Sequence, residues 1–252
     1  MKIHISAIAL FKKLCYILKS YVSLQNNSVY GGFSVKRSIV IRSVALVLMC
    51  VMCVGMLTGC VTMGERKPSA TILFSNGTEI TVRLYPDKAP NTVNNFISLA
   101  NAGFYDGSPV HRIVEYSLVQ MGKPADSEES DAGYYIKGEF PNNGYVKNDM
   151  LHKKGVLSMA RTVDPNDTKG KDDYDTASSQ FFICVDNEVT LDGDYAAFGK
   201  IIFGYDEFEK ISKMDVDANK APRDEIYIES VTIELHDYTP KEPKTIEKPA
   251  AE

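Results

Sequence analysis

The amino-acid sequence predicts a mainly β fold, a closed antiparallel barrel capped by two helices. Three observations point there. An Asn76-Gly77 pair separates two strand-type runs, only two segments of the body carry a helical signature, and the text beyond Val110 is otherwise short strands and loops.

The elements follow in order. Thr71-Ile72-Leu73-Phe74 and Glu79-Ile80-Thr81-Val82-Arg83-Leu84 flank Ser75-Asn76-Gly77-Thr78. Asn-Gly between two such runs is a strong hairpin signal, because both residues tolerate positive φ. Pro90-Asn91-Thr92 opens a helix, with Val93, Phe96, Ile97 and Ala100 at i, i+3, i+4 and i+7 on one buried stripe. Gly103 ends it as the residue that turns left-handed at least cost. Gln180 to Val185 and Ala196 to Phe203 are two apolar strands around the turn-rich Leu191-Asp192-Gly193. Asp206 to Met214 gives the second helix. Ile226, Ile228, Val231, Ile233 and Leu235 form a closing strand whose phase shifts near Ser230, the mark of a bulge. The tail beyond His236 is rich in Pro, Lys and Glu, a composition expected to be disordered.

Charge divides the chain. Its 252 residues carry a formal net charge of −5. Up to Cys60 there are seven Lys or Arg and no acidic residue; beyond it 21 basic face 33 acidic residues, a balance of −12. An acidic body argues against nucleic-acid binding, which needs clustered Lys and Arg. The basic leader belongs to targeting: Lys36-Arg37 and Arg42 precede the uncharged run Val44 to Leu57, 14 residues long. That length suits the apolar core of a signal peptide and is short for a membrane span. The run ends in Leu57-Thr58-Gly59-Cys60, which resembles a bacterial lipoprotein signal with Cys60 as the lipidated first residue. The other reading is a single membrane anchor, since the uncharged stretch continues to Met63. Either way the body lies outside the cytoplasmic membrane. The expected organisation is an extension over 1–35 without a physical account, a signal over 36–60, a linker over 61–69, the domain over 70–236 and the tail over 237–252. Four of the five Cys lie at or before Cys60. Cys184 alone remains in the body, as a small core hydrophobe with no intrachain disulfide.

Three separated motifs carry the chemistry. They are His111-Arg112-Ile113-Val114 with Gln120-Met121-Gly122 behind it, Gly155-Val156-Leu157-Ser158-Met159-Ala160-Arg161, and Ser178-Ser179-Gln180-Phe181-Phe182-Ile183 running on to Leu191-Asp192-Gly193. In this order and spacing they resemble the cyclophilin family of peptidyl-prolyl cis-trans isomerases, over roughly Ala70 to Leu235. The resemblance implies an eight-stranded barrel with a helix over each end, prolyl isomerase activity on proline-containing polypeptides, and a monomer without metal or cofactor.

The chemistry explains why such residues suffice. Rotation about a prolyl amide meets a barrier of about 18–20 kcal/mol from amide resonance. A catalyst needs an apolar slot for the ring and a fixed donor aimed at the prolyl nitrogen, whose lone pair is freed in the twisted state. Arg stays protonated and presents its donors in a rigid plane. By motif position, Arg112 matches the catalytic donor and Gln120 the residue that orders it. Leu118, Phe182, Leu191 and Tyr195 match the walls of the proline pocket, and His111, Ala160, Arg161 and Gln180 line the peptide groove. Outside the resemblance, Phe182 and Leu191 read as plain core.

Departures from the family pattern are equally specific. Ser117 replaces a pocket Phe, Thr190 the Trp before Leu-Asp-Gly, Tyr195 a pocket His, and Met121 a Gly. Cyclosporin-type macrocycles bind this family in the substrate groove, so loss of the Trp implies poor inhibition. The acidic insertion Val163 to Thr176 lengthens a loop; its Asp residues miss the spacing of known Ca²⁺ loops, and no metal is assigned. The expected function is a lipid-anchored isomerase assisting exported proteins at the membrane surface; the alternative is a weakly active or inactive peptide-binding module or chaperone of the same fold.

Overall fold

The computed structural model describes residues 66–125, 131–162 and 173–249. The extension, the signal with Cys60, most of the linker and most of the acidic loop lie outside them. No helix among the described residues is long and apolar enough to cross a membrane.

The elements run β1 (Ser69–Phe74), β2 (Glu79–Leu84), α1 (Pro90–Asn101), β3 (Arg112–Val114), β4 (Leu118–Met121), β5 (Tyr134–Tyr135), β6 (Val156–Met159), β7 (Phe181–Cys184), β8 (Ala197–Phe203), α2 (Tyr205–Ile211), β9 (Ile228–Glu234) and β10 (Ile246–Glu247). Eight strands form one antiparallel sheet in the order β3-β4-β7-β6-β8-β2-β1-β9. The expected Asn-Gly hairpin joins β1 to β2, with Gly77 at φ +82°. The bulge expected near Ser230 sits between β1 and β9: Leu73 faces Ser230 while Phe74 faces Ile228, leaving Glu229 over.

Closure is looser than a continuous barrel. The edge strands β3 and β9 do not pair. An isolated bridge, Pro109 to Tyr227, and the bonds Val110 N–H to Ile226 O (2.9 Å) and Ile113 N–H to Lys220 O (2.8 Å) join the two edges instead. The sheet is thus a strongly curled half-barrel. Pro109 has no N–H to give a ladder, which limits pairing there.

Helix α1 fills one mouth. Val93, Phe96, Ile97 and Ala100 are buried as their spacing requires. Glu139 serves its open N-terminus, accepting from Asn91 N (3.1 Å), Thr92 N (2.8 Å) and Thr92 Oγ1 (2.8 Å). Phe96 lies at the centre of an aromatic core, 5.2 Å from Tyr105, 5.5 Å from Phe181 and 5.4 Å from Phe198 between ring centroids.

The segment beyond His236 departs from its composition. Its described part lies along α1 and ends as a strand. Tyr238 Oη donates to Asn94 Oδ1 (2.7 Å), Lys241 N and Lys244 N donate to Asn94 and Asn91, and β10 pairs with β5. Asn94 and Asn91 supply side-chain acceptors that hold an extended backbone with little apolar burial. Composition measures hydrophobic content and is blind to such partners.

Candidate active site

Strand alternation separates the site from the core. Val119, Met121, Phe181 and Ile183 point inward into the main core. Leu118, Phe182 and Cys184, one residue out of phase, form a second apolar cluster on the outer face, joined by Val114, Ala160, Leu191 and Tyr195. Phe182 is 3 % exposed and Leu118 8 %.

Ladder register places the polar residues beside this cluster. Arg112 on β3 is opposite Gln120 on β4, Gln120 is opposite Phe182 on β7, and Phe182 is opposite Ser158 on β6. The four form one row across four strands. Arg112 Nη1 donates to Gln120 Oε1 at 3.3 Å, and Gln120 Nε2 donates to Gln180 Oε1 at 2.9 Å. Just past β4 the chain packs closely at Gly122: a Cβ there would meet Ser179 O at 2.7 Å, and φ is +97°.

All four expected pocket residues therefore stand together, with Arg112 and Gln120 on one side. Gln180 and Ala160 lie alongside, linked by Ala160 N–H to Gln180 O (2.9 Å). Arg161 donates from Nε to Asp194 O at 3.2 Å, and its guanidinium lies 4.8 Å from the Tyr195 ring centroid. His111 is partly buried. Burial, with Lys123 and Arg112 adding positive charge against the Pro109 carbonyl and Gln180, pushes its pKa down to about 4. Cys60 lies outside the described residues.

One supporting residue has no signal in the motifs. His152, 1 % exposed, sits behind Phe182 with the rings stacked at 6.0 Å. Its Nδ1 bonds to Asp192 Oδ1 (2.9 Å) and its Nε2 to Ser158 Oγ (3.0 Å), while Asp192 also accepts from the His152 backbone N (2.7 Å). Burial lowers its pKa, opposed by Asp192. Ser158 was findable as the residue in phase with the outer face of its strand; His152 is in a loop and gives no such sign. Cys184 is the fully buried member of the cluster, and burial pushes its thiol up to about 12, consistent with an inert packing residue.

The family described as "Cyclophilin type peptidyl-prolyl cis-trans isomerase/CLD" matches residues 70–233. The chain belongs to the cyclophilin family. It is an isomerase of the peptidyl-prolyl cis-trans class. Among cyclophilins it is 38 % identical over 144 residues to peptidyl-prolyl cis-trans isomerase B of Bacillus subtilis, covering 57 % of this chain and 90 % of that one. It is 35 % identical over 149 residues to a peptidyl-prolyl cis-trans isomerase of Helicobacter pylori, covering 58 % and 82 % respectively. A crystal structure of a Cryptosporidium parvum cyclophilin superposes with a TM-score of 0.55 at 25 % identity, covering 66 % of this chain and 96 % of that one. In this cyclophilin the two residues before Leu191 are exposed, Thr190 and Val189, the latter to 73 %.

Proposed function

We propose that the face between Arg112 and Phe182 binds the Xaa-Pro segment of polypeptide substrates, and that Arg112 is the catalytic donor. The row Arg112–Gln120–Phe182 carries this reading, because it sets a fixed cation beside an apolar slot. The proline ring enters the cluster of Leu118, Phe182, Leu191 and Tyr195. As the amide twists, its nitrogen pyramidalises and becomes an acceptor. Arg112, oriented by Gln120, then donates to it. This bond is absent in the planar amide, so it lowers the barrier rather than merely tightening binding. His111, Ala160, Arg161 and Gln180 hold the flanking chain. Measured isomerisation of a short Xaa-Pro peptide by the purified protein tests this; exchange no faster than the spontaneous process, which takes tens to hundreds of seconds, would refute it.

The cellular role follows from the leader. The protein is extracytoplasmic and lipid-anchored at Cys60 to the bacterial cell membrane, where it assists folding of exported proteins as a monomer. The Leu57-Thr58-Gly59-Cys60 boundary behind the 14-residue apolar run supports this. Cys60→Ser leaves an unprocessed precursor; a variant processed and fractionated like wild type would remove the anchor. A second reading, a weakly active binding module, draws support from Ser117 and exposed Thr190, which leave the pocket mouth open.

A further inference from the structure

A second cleft of about 140 Å³ adjoins the proline pocket, sharing Gln120, Ala160 and Gln180 with its edge and bounded beyond them by Arg161, Asp131 and Ser178. Two charged side chains bound it, and they are treated differently by the fold.

Arg161 is held in place without a carboxylate partner among the described residues. Its Nε is engaged by Asp194 O at 3.2 Å, and its plane lies 4.8 Å from the Tyr195 ring centroid and 5.1 Å from that of Tyr174. Its Nη1 is buried without an acceptor, and no salt bridge reaches Arg161 among the described residues. A buried donor left unpaired costs free energy that a ligand acceptor recovers. Preorganised Arg suits carboxylate, since its geometry is already fixed.

Asp131 is in the opposite condition. Lys248 pairs with it at 2.5 Å and Gly133 N–H donates to it at 2.9 Å. Lys248 arrives from far along the chain. The segment from Tyr238 to Lys244 is bonded to Asn94 and Asn91 on α1, β10 pairs with Tyr134 and Tyr135, and the next residue is Lys248. The strap thus cancels the one described carboxylate lining the cleft. Further along the groove, Arg112 and Lys123 add positive charge around His111. Arg161, Arg112 and Lys123 are thus basic side chains along the groove, on a body whose net balance is −12.

We propose that the cleft selects substrates bearing a carboxylate side chain near the isomerised proline, with Arg161 as the specificity-determining residue, and that the C-terminal strap permits the selection by neutralising Asp131. This rests on the proline occupying the Phe182 pocket. The partner chemistry is a Glu or Asp of an unfolded or extended polypeptide.

The test uses the full chain and Ala-Pro peptides with Glu, Gln or Lys placed in turn at each position flanking the pair. At one position Glu should exceed Gln in kcat/KM by about fivefold, the yield of a part-exposed ion pair, with Lys below Gln. Arg161→Gln should bring the Glu-to-Gln ratio to about one, and Arg161→Lys should keep part of it. Lys248→Gln should lower the ratio by freeing Asp131, and adding Asp131→Asn should restore it. An active wild type with no Glu preference at any position, or a preference that survives Arg161→Gln, overturns the selection while leaving the proline site intact. Full preference in Lys248→Gln overturns the role of the strap. A wild type that isomerises none of the peptides sinks the proline-site reading and this one with it.

Discussion

Gln120 stands directly across the β3–β4 ladder from Arg112, and its side-chain oxygen accepts from the guanidinium at 3.3 Å. The same Gln gives its amide to Gln180 at 2.9 Å, so its orientation is fixed from both ends. If Arg112 is the catalytic donor proposed above, its guanidinium is held before substrate arrives and needs no reorganisation as the amide twists.

Arg112→Ala should therefore lower kcat/KM on an Xaa-Pro peptide by tenfold or more, about 1.4 kcal/mol per decade of lost transition-state stabilisation. The side chain lies on the outer face, so the melting temperature should stay near wild type. Near-normal kcat/KM in a folded variant would exclude Arg112 from the mechanism.

His152→Ala is expected to act through packing. It removes a ring behind Phe182 and leaves Asp192 and Ser158 without their partner. The cost should be about 2–4 kcal/mol of stability, with a raised KM as the pocket wall loosens. Denaturant titration together with steady-state kinetics checks both; an unchanged midpoint would show that the buried bonds contribute nothing.

Acid should weaken the fold through His111. Its folded pKa of about 4 lies below the ordinary 6.5, so the unfolded chain takes up the proton first as pH falls. This contribution is fully present above about pH 6.5 and is lost progressively down to about pH 4. His152, lowered by burial, acts in the same direction. His111→Gln should flatten the dependence of melting temperature on pH in that window. An equally steep profile in the variant would show that the ring is not held neutral.

Cyclosporin should inhibit poorly, and Thr190→Trp should recover part of the binding. A missing indole hydrogen bond and ring contact are worth on the order of 2–3 kcal/mol, roughly 30- to 150-fold in Kd. Drug titration into both proteins decides this. Nanomolar binding by wild type, or no gain from the substitution, would contradict the assignment of Thr190 to the pocket mouth.

Local pattern carried much of the fold. The Asn76-Gly77 hairpin, the buried stripe of α1 and the bulge at Glu229 were each written in a few adjacent residues. Motif resemblance named the residues of the Arg112–Phe182 face, and the structure brings them together. It did not name His152, whose partner Asp192 is 40 residues away. Nor did it foresee the course of the tail, since Asn91 and Asn94 read as ordinary helix-surface polar residues until a second backbone is laid against them.

Neighbouring residues were enough to read the first hairpin, the two helices and the closing strand, and motif order was enough to read the family and, through it, the strand count and the site residues; period-two alternation did not distinguish the outward Phe182 from plain core. Tertiary structure alone decided the row Arg112–Gln120–Phe182–Ser158, the support of His152 behind it and the pairing of Lys248 with Asp131. Each of these depends on register between strands or on contacts across tens of residues. Register is a relation between segments that the sheet sets only when all of its strands pack at once.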